Sequence, residues 1–259
     1  MKAEIIFLGT GGSVATPTRD NTSLLLRSGE DFVLVDCPGS LIQKLGKLNL
    51  DPRRVRTILL THVHPDHVYG LPSFIHSLML EQGQIQFFAS AKAISMARRL
   101  LDLFELREKN VKTRVRLRSL RPWKKVDIGR SLTVKPFPVP HHPSSLAYHF
   151  YLKEEGKELL FSGDTPVYAP LFKEARNIDW LIHDSSAPSR FFRQYPELRR
   201  VHTSALDLGR MSQEASVKSL VPIHFLGEVS FSPAEIEREI KQRFRGRLII
   251  PEDLQRLKL

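Results

Sequence analysis

The sequence predicts an α/β fold whose chemically active residues lie at the ends of strands. Short apolar runs, such as residues 57–60 and 159–161, end in polar clusters, which is typical of buried strands that lead into functional loops. Segments with apolar residues at helical spacing, such as 94–104, follow several of these runs. The 259 residues are expected to form one domain, 1–259, that buries a substantial core.

Composition narrows the class of protein. Hydrophobic residues make up 41% of the chain and charged residues 26%, as in an ordinary soluble protein. No run approaches the ~20 apolar residues of a membrane span, and the first residues lack a signal-peptide pattern, so we expect no membrane association. The single cysteine, Cys37, excludes an internal disulfide and suits a cytoplasmic location. A formal net charge of +11 favours an anionic partner, such as nucleic acid or a phosphorylated small molecule.

The strongest local signal is the segment 61–67, which follows an apolar run directly. It holds three imidazoles and one carboxylate within six residues: His62, His64, Asp66 and His67. Alternate residues of an extended chain point the same way, so His62 and His64 are expected to converge on one metal ion, and Asp66 and His67 on a second point. Pro65 prevents a helix from running through the cluster, which places these ligands on a loop. The alternative is a solvated polar turn.

Several later segments also place histidine or aspartate next to an apolar run. The residues are His141, Asp164, His183, Asp184, His202 and His224. Taken alone, the pair Gly163-Asp164 would indicate only a turn.

The order His-x-His-x-Asp-His after an apolar strand resembles the signature of the metallo-β-lactamase superfamily of binuclear metallohydrolases. The segment Ser162–Thr165 and the spacing of His141 from Tyr148 are similar to further superfamily motifs. The segment His202-Thr203-Ser204-Ala205 and the pair His224-Phe225 are similar to ribonuclease Z-like members. The resemblance implies an αββα sandwich, with two mixed β-sheets flanked by helices and the ligands on loops at one edge.

The resemblance also implies two divalent metal ions, with zinc expected and manganese or iron acceptable to the same nitrogen and oxygen ligands. One ion would be held by His62, His64 and His141. The other would be held by Asp66, His67 and His224, with Asp164 bridging both. Two ions about 3.5–4 Å apart lower the pKa of a bridging water, which predicts a hydroxide nucleophile. The expected catalytic residues are Asp66, which orients or deprotonates the nucleophile, and His202, which is polarised by Asp184 and acts on the phosphate or the leaving oxygen.

The predicted function is that of a ribonuclease Z-like phosphodiesterase acting on RNA, such as tRNA 3′ ends. Ribonuclease Z enzymes contact RNA through a Pro-x-Lys-x-Arg-Asn loop, and this chain keeps only Pro17 and Asn21 of it, with Arg19 replacing the lysine. We therefore expect Arg19 and Asn21 to bind substrate. Arg114 and Arg116 are further candidates, because the cations of 112–118 alternate with a period of two and share one strand face. That face could equally be a solvated sheet surface.

Alternatives stay open because only 23 residues separate His141 from Asp164, too few for the flexible arm with which long-form ribonuclease Z grips tRNA. A small-molecule cyclic-phosphate phosphodiesterase is the first alternative. A thioesterase or lactamase-like hydrolase, and a nucleic-acid-binding protein that has lost catalysis, are the others. A homodimer is expected only by resemblance, since related phosphodiesterases are often dimers.

Overall fold

The structure is a computed structural model that describes residues 3–259, so residues 1 and 2 of the predicted domain lie outside it. One seven-stranded mixed sheet contains the strands of the N-terminal half of the chain together with the last strand. Its strands are Glu4–Gly9 (β1), Ser23–Ser28 (β2), Asp31–Val35 (β3), Thr57–Leu59 (β4), Gly83–Ala89 (β5), Thr113–Ser119 (β6) and Arg256–Lys258 (β14). They lie in the order β14-β1-β2-β3-β4-β5-β6, and β3 to β6 are parallel.

A second seven-stranded mixed sheet contains the remaining strands. They are Val126–Asp127 (β7), Leu132–Pro138 (β8), Leu146–Leu152 (β9), Lys157–Phe161 (β10), Trp180–Asp184 (β11), Ser219–Ile223 (β12) and Arg247–Leu248 (β13). They lie in the order β13-β12-β11-β10-β9-β8-β7, and β10 to β13 are parallel.

Helices cover the outer face of each sheet. They are Leu41–Lys47 (α1), Pro65–Val68 (α2), Leu71–Ser77 (α3), Ala91–Leu103 (α4), Ala169–Glu174 (α5), Ser189–Gln194 (α6), Ala205–Glu214 (α7) and Pro233–Lys241 (α8), with 3-10 turns at Pro52–Arg54 and Pro196–Arg200. Helices α1, α3 and α4 pack on the first sheet, and α5, α7 and α8 pack on the second. The predicted αββα sandwich is therefore confirmed. Within residues 3–259, none of the helices is long and apolar enough to cross a membrane.

Strand β4 shows why the apolar runs are continuous. Leu59 packs between the two sheets, whereas Ile58 and Leu60 pack against the helices on the outer face. Successive side chains of a strand point to opposite faces, and both faces of this strand are buried. An uninterrupted apolar run is the result.

The strands that precede the candidate site residues share a direction within each sheet. Strands β3 and β4 are parallel, as are β10, β11 and β12, and β8 runs antiparallel to β9, which runs antiparallel to β10. Polar residues that follow these strands therefore collect at the carboxyl edge of each sheet, where ligands bind in open α/β sheets.

Phe161 tests the packing between the sheets, because its side chain is fully buried there. Phe161→Ala should lower the free energy of unfolding by about 3–5 kcal/mol through lost burial and the cavity left behind. Chemical denaturation measures this. Phe104→Ala, at a residue that is 56% exposed, is the control and should change stability little. Equal effects of the two substitutions would contradict the assigned core.

Candidate metal centre

Seven side chains from the two sheets converge on one cluster, the metal cluster. Its members are His62, His64, Asp66, His67, His141, Asp164 and His224. They form three overlapping groups, and the ligand atoms within each group lie within 4.8 Å of one another. The groups are His62, His64 and His141; His62, His67 and Asp164; and Asp66, His67 and His224. The structure thus brings together all seven residues that the sequence nominated as metal ligands.

Asp164 lies at the centre of the metal cluster. Its Oδ2 atom is 3.0 Å from Nε2 of His224 and 3.2 Å from Nε2 of His67. The same oxygen is 3.7 Å from Nε2 of His62 and 3.8 Å from Nε2 of His141. One carboxylate oxygen therefore faces imidazoles of both predicted ion sites, as a bridging ligand must.

Hydrogen bonds at the rear of three imidazoles fix their orientation. Nδ1 of His67 lies 2.8 Å from Asp36, Nδ1 of His141 lies 2.8 Å from the carbonyl of Val201, and Nδ1 of His62 lies 3.1 Å from the hydroxyl of Thr61. With Nδ1 engaged, Nε2 of each ring points to the cluster. Such partners set the tautomer and the basicity of metal-binding histidines.

Unpartnered buried nitrogens show that a metal fits this cluster. Among residues 3–259, Nε2 of His62 is buried without a hydrogen-bond partner, and Nε2 of His67 and of His224 lies close to the Asp164 carboxylate but not in hydrogen-bond geometry. Buried polar atoms are costly unless they are satisfied, and a bound cation would satisfy these three. The five histidines and two aspartates of the metal cluster form the mixed nitrogen and oxygen donor set that zinc and similar divalent ions accept.

The histidines of the metal cluster fall into two classes, one with a lowered pKa and one with a raised pKa. Burial lowers the pKa of His62, His64 and His141, which keeps them in the neutral form that binds metal. Burial also acts to lower the pKa of His224, but the carboxylates of Asp164 and Asp66 outweigh it and raise that pKa to about 10. The pKa of His67 is raised well above its usual range, because Asp164 and Asp36 outweigh burial. The Asp164 carboxylate thus favours the protonated forms of these two rings.

Asp36 supports the cluster from the end of β3. It is fully buried, and its carboxylate accepts hydrogen bonds from the backbone N–H and the hydroxyl of Thr61 while facing His67. Burial raises the pKa of Asp36, opposed by the neighbouring His67. Asp36 and His224 both have φ of 61°, a left-handed conformation that non-glycine residues adopt at a cost and that concentrates at functional sites.

The structure corrects one expectation about the metal-binding segment. His62 and His64 lie on a loop as predicted, but Asp66 and His67 lie in the short helix α2. Pro65 occupies the first position of that helix, where the missing N–H is not needed. Proline therefore starts a helix here, and the two ligands project from its first turn.

His202 and Asp184 form a pair next to the metal cluster. Nδ1 of His202 lies 2.8 Å from Oδ2 of Asp184, and its ring centroid lies 5.1 Å from that of His224 and 5.3 Å from that of His141. Asp184 is buried and also accepts a hydrogen bond from the backbone N–H of Thr165. His183, the residue before Asp184, points away from this pair and stacks on Phe172 on the helix side of the sheet.

The four candidate substrate-binding residues are not grouped together. Arg19 donates to the Thr10 hydroxyl and the Pro251 carbonyl, and its guanidinium lies over the ring of Phe225. The amide nitrogen of Asn21 is buried and donates to the carbonyls of Gly12 and Ser13.

Arg114 donates to the carbonyls of Glu108 and Lys109, and Arg116 is exposed beside it. Their strand, β6, is the edge strand of the first sheet and is separated from β4 by β5. The structure therefore does not join Arg114 and Arg116 to the metal cluster.

Sequence reasoning missed contacts that involve the backbone. The carbonyl of Val201 fixes His141, yet a backbone acceptor leaves no residue-type signal in the sequence. The residue next to it, His202, was the only available hint that the segment lies at the site.

Residues 3–222 match the protein family described as Anti-Pycsar protein Apyc1. The chain belongs to this family. Among curated relatives, ribonuclease Z of Methanosarcina acetivorans is 23% identical over 305 aligned positions, covering 98% of this chain and 97% of the relative.

Two solved structures share the fold over nearly their full length. The metallo-β-lactamase fold protein YhfI from Bacillus subtilis has a TM-score of 0.84 and 16% identity, covering 99% of this chain and 98% of that one. The short form of human tRNase Z has a TM-score of 0.79 and 20% identity, covering 98% of each chain. The resemblance to the metallo-β-lactamase superfamily and its ribonuclease Z-like branch is confirmed.

Asp36→Asn tests the support behind His67. Asparagine tolerates the left-handed backbone and keeps an acceptor for Thr61, so the fold should survive. Zinc affinity, measured by competition with a chelator, should fall by about 10–100-fold, as is typical when a partner of a metal-binding histidine is removed. Asp102→Asn, at an exposed aspartate of α4, is the control. Unchanged zinc affinity in Asp36→Asn would contradict the assigned role.

Proposed function

We propose that this protein hydrolyses phosphodiester bonds, with two divalent ions held by the metal cluster and His202 as the catalytic histidine. The observation that carries the proposal is the His202–Asp184 pair, which lies beside a cluster centred on the Asp164 carboxylate. The ribonuclease Z relatives support the same reaction class. Complete sets of candidate ligands on both sides of Asp164 argue against a protein that has lost catalysis.

Asp66, Asp184 and His202 have different roles in the proposed hydrolysis. When bound, two divalent ions supply a water of near-neutral pKa and stabilise charge on the attacking and leaving oxygens. Oδ2 of Asp66 lies 3.4 Å from Nε2 of His67 and 3.8 Å from Nε2 of His224, so Asp66 can orient the attacking water and accept its proton. Asp184 engages Nδ1 of His202, which leaves Nε2 free to donate a proton to the leaving oxygen.

For the substrate, we favour a small nucleotide phosphodiester, such as a cyclic phosphate, over a tRNA precursor. The interval between His141 and Asp164 is filled by the hairpin of β9 and β10, whose turn spans only residues 153–156. No segment of this interval extends as a tRNA-gripping arm. Asn21 and Arg114, two of the residues expected to contact RNA, use side-chain donors on the protein's own backbone.

A ribonuclease Z-like endonuclease is the second candidate, and one surface favours it. Residues 109–125 contain eight lysines and arginines and no acid, and all eight cations are exposed. Within this segment, Trp123 is 46% exposed and stacks on Phe137 at a centroid distance of 4.9 Å. Cations with an exposed aromatic ring are the combination that binds single-stranded nucleic acid.

His202→Ala should lower kcat for 3′,5′-cyclic AMP by about 10²–10⁴-fold, because it removes the proton donor to an alkoxide leaving group. Metal content, measured by elemental analysis, should stay at the wild-type value. His76→Ala, at an exposed histidine on α3, is the control and should be fully active. Loss of one ion in His202→Ala would instead make His202 a metal ligand. A wild-type enzyme that binds metal but cleaves only thioesters or lactams would refute the phosphodiesterase proposal.

The two substrate candidates predict different specificity constants. The preference for a small nucleotide predicts that kcat/KM for 3′,5′-cyclic nucleotides exceeds that for precursor tRNA, because Asn21 and Arg114 donate to the protein's own backbone. The endonuclease candidate predicts that precursor tRNA is cleaved and that single-stranded RNA quenches the fluorescence of Trp123. This quenching should be lost in Trp123→Phe. Trp180, the other tryptophan, is buried and should not respond. Cleavage of precursor tRNA alone would overturn the preference for small nucleotides.

A further inference from the structure

We propose that a cavity beside His202 binds the nucleobase on the leaving-group side of the substrate. This inference rests on the proposed phosphodiesterase function and identifies where substrate specificity would reside. The cavity has a volume of about 220 Å³. It is lined by Val167, Phe192, Arg199, His202, Asp207 and Arg210.

The position of His202 connects this cavity with the reaction centre. The imidazole contributes to the cavity wall, and its ring also lies within 5.3 Å of the rings of His141 and His224. In the proposed reaction, His202 donates a proton to the leaving oxygen. The group bonded to that oxygen must therefore extend past His202, and the cavity is the space that receives it.

The lining of the cavity suits a flat, neutral ring with polar edges. Phe192 is 1% exposed and forms an apolar wall together with Val167, which is 40% exposed. The Arg199 guanidinium is anchored on the same side, since its Nε donates to the carbonyl of Phe192 at 3.3 Å. Apolar side chains and guanidinium planes both stack on nucleobases.

Asp207 argues against a second phosphate in this cavity. One of its carboxylate oxygens accepts a hydrogen bond from Ser204 at 2.7 Å, and the other lies 3.6 Å from Arg210 in a partly exposed ion pair. A phosphate would face repulsion from this carboxylate. A base would instead find an acceptor for an N–H on its edge, since carboxylates accept hydrogen bonds from base amines.

The volume of the cavity limits how much of the substrate it can hold. Pockets that enclose a drug-sized ligand measure about 300–1,000 Å³. At about 220 Å³, this cavity accommodates a single base but not two stacked nucleotides. Its three walls come from separate parts of the chain: the loop after Asp164, the segment 192–199, and the first turns of α7.

Steady-state kinetics with cyclic AMP and its abasic analogue, a cyclic ribose phosphate, tests the cavity. Arg199→Ala removes the stacking guanidinium, and Val167→Trp fills the space. Each should raise KM for cyclic AMP about tenfold, as expected when one stacked base is lost, with kcat within about twofold. Kinetics on the abasic analogue should not change. Arg200→Ala, at the exposed neighbouring arginine outside the lining, is the matched control.

Two outcomes would overturn the inference: an unchanged KM for cyclic AMP in both variants, or an equal loss of activity on the abasic analogue. Calorimetric binding of AMP and of ribose 5-phosphate separates this inference from the proposed function. If the wild type hydrolyses neither cyclic substrate, the preference for a small nucleotide substrate fails, but the cavity is still tested. AMP binding that exceeds ribose 5-phosphate binding and weakens in Arg199→Ala supports the cavity, whereas equal AMP affinity in wild type and variant refutes it.

Discussion

The structure is organised by one electrostatic constraint, the burial of Asp164 among imidazole nitrogens. An ionised carboxylate removed from water is strongly unfavourable unless positive charge and hydrogen-bond donors surround it. Nε2 atoms of four histidines approach its Oδ2 atom, between 3.0 and 3.8 Å away. The fold must therefore bring residues that are distant in sequence to one point, and it does so by ending strands of both sheets at that edge.

The cluster keeps its shape because rigid groups lie behind it. Asp36 joins the end of β3 to both Thr61 and His67, so two strands and a ligand share one buried carboxylate. Gly12 lies behind His224, where a Cβ atom would come within 3.2 Å of the imidazole Cε1. The N–H groups of Gly11 and Gly12 donate to the carbonyls of Asp20 and Phe225. Because these N–H groups are already used, the glycine-rich turn supports His224 and does not form a phosphate-binding loop.

The candidate metal ligands could be selected from the sequence because a metal requires particular residue types at short spacing. Four candidate ligands lie within residues 62–67. The other candidates follow apolar strands in the same order as in the metallo-β-lactamase superfamily. Contacts that depend on tertiary structure left no such pattern. Three such contacts are made with backbone carbonyls: the Asn21 amide with Gly12, the Arg114 guanidinium with Glu108, and the His141 imidazole with Val201. Each depends on how the chain packs in three dimensions.

The positive charge of the chain and the cavity beside His202 affect different properties of catalysis. Exposed cations on β6 raise the encounter rate of any anionic substrate, and salt screens them over about 8 Å at physiological ionic strength. They attract a cyclic nucleotide and an RNA alike, so net charge does not choose between these substrates. In the proposed reaction the cavity acts by contact, because Arg199 and Phe192 line the space next to the leaving oxygen. Because the same fold and the same kind of metal cluster can support several hydrolytic reactions, specificity must come from contacts such as those beside His202.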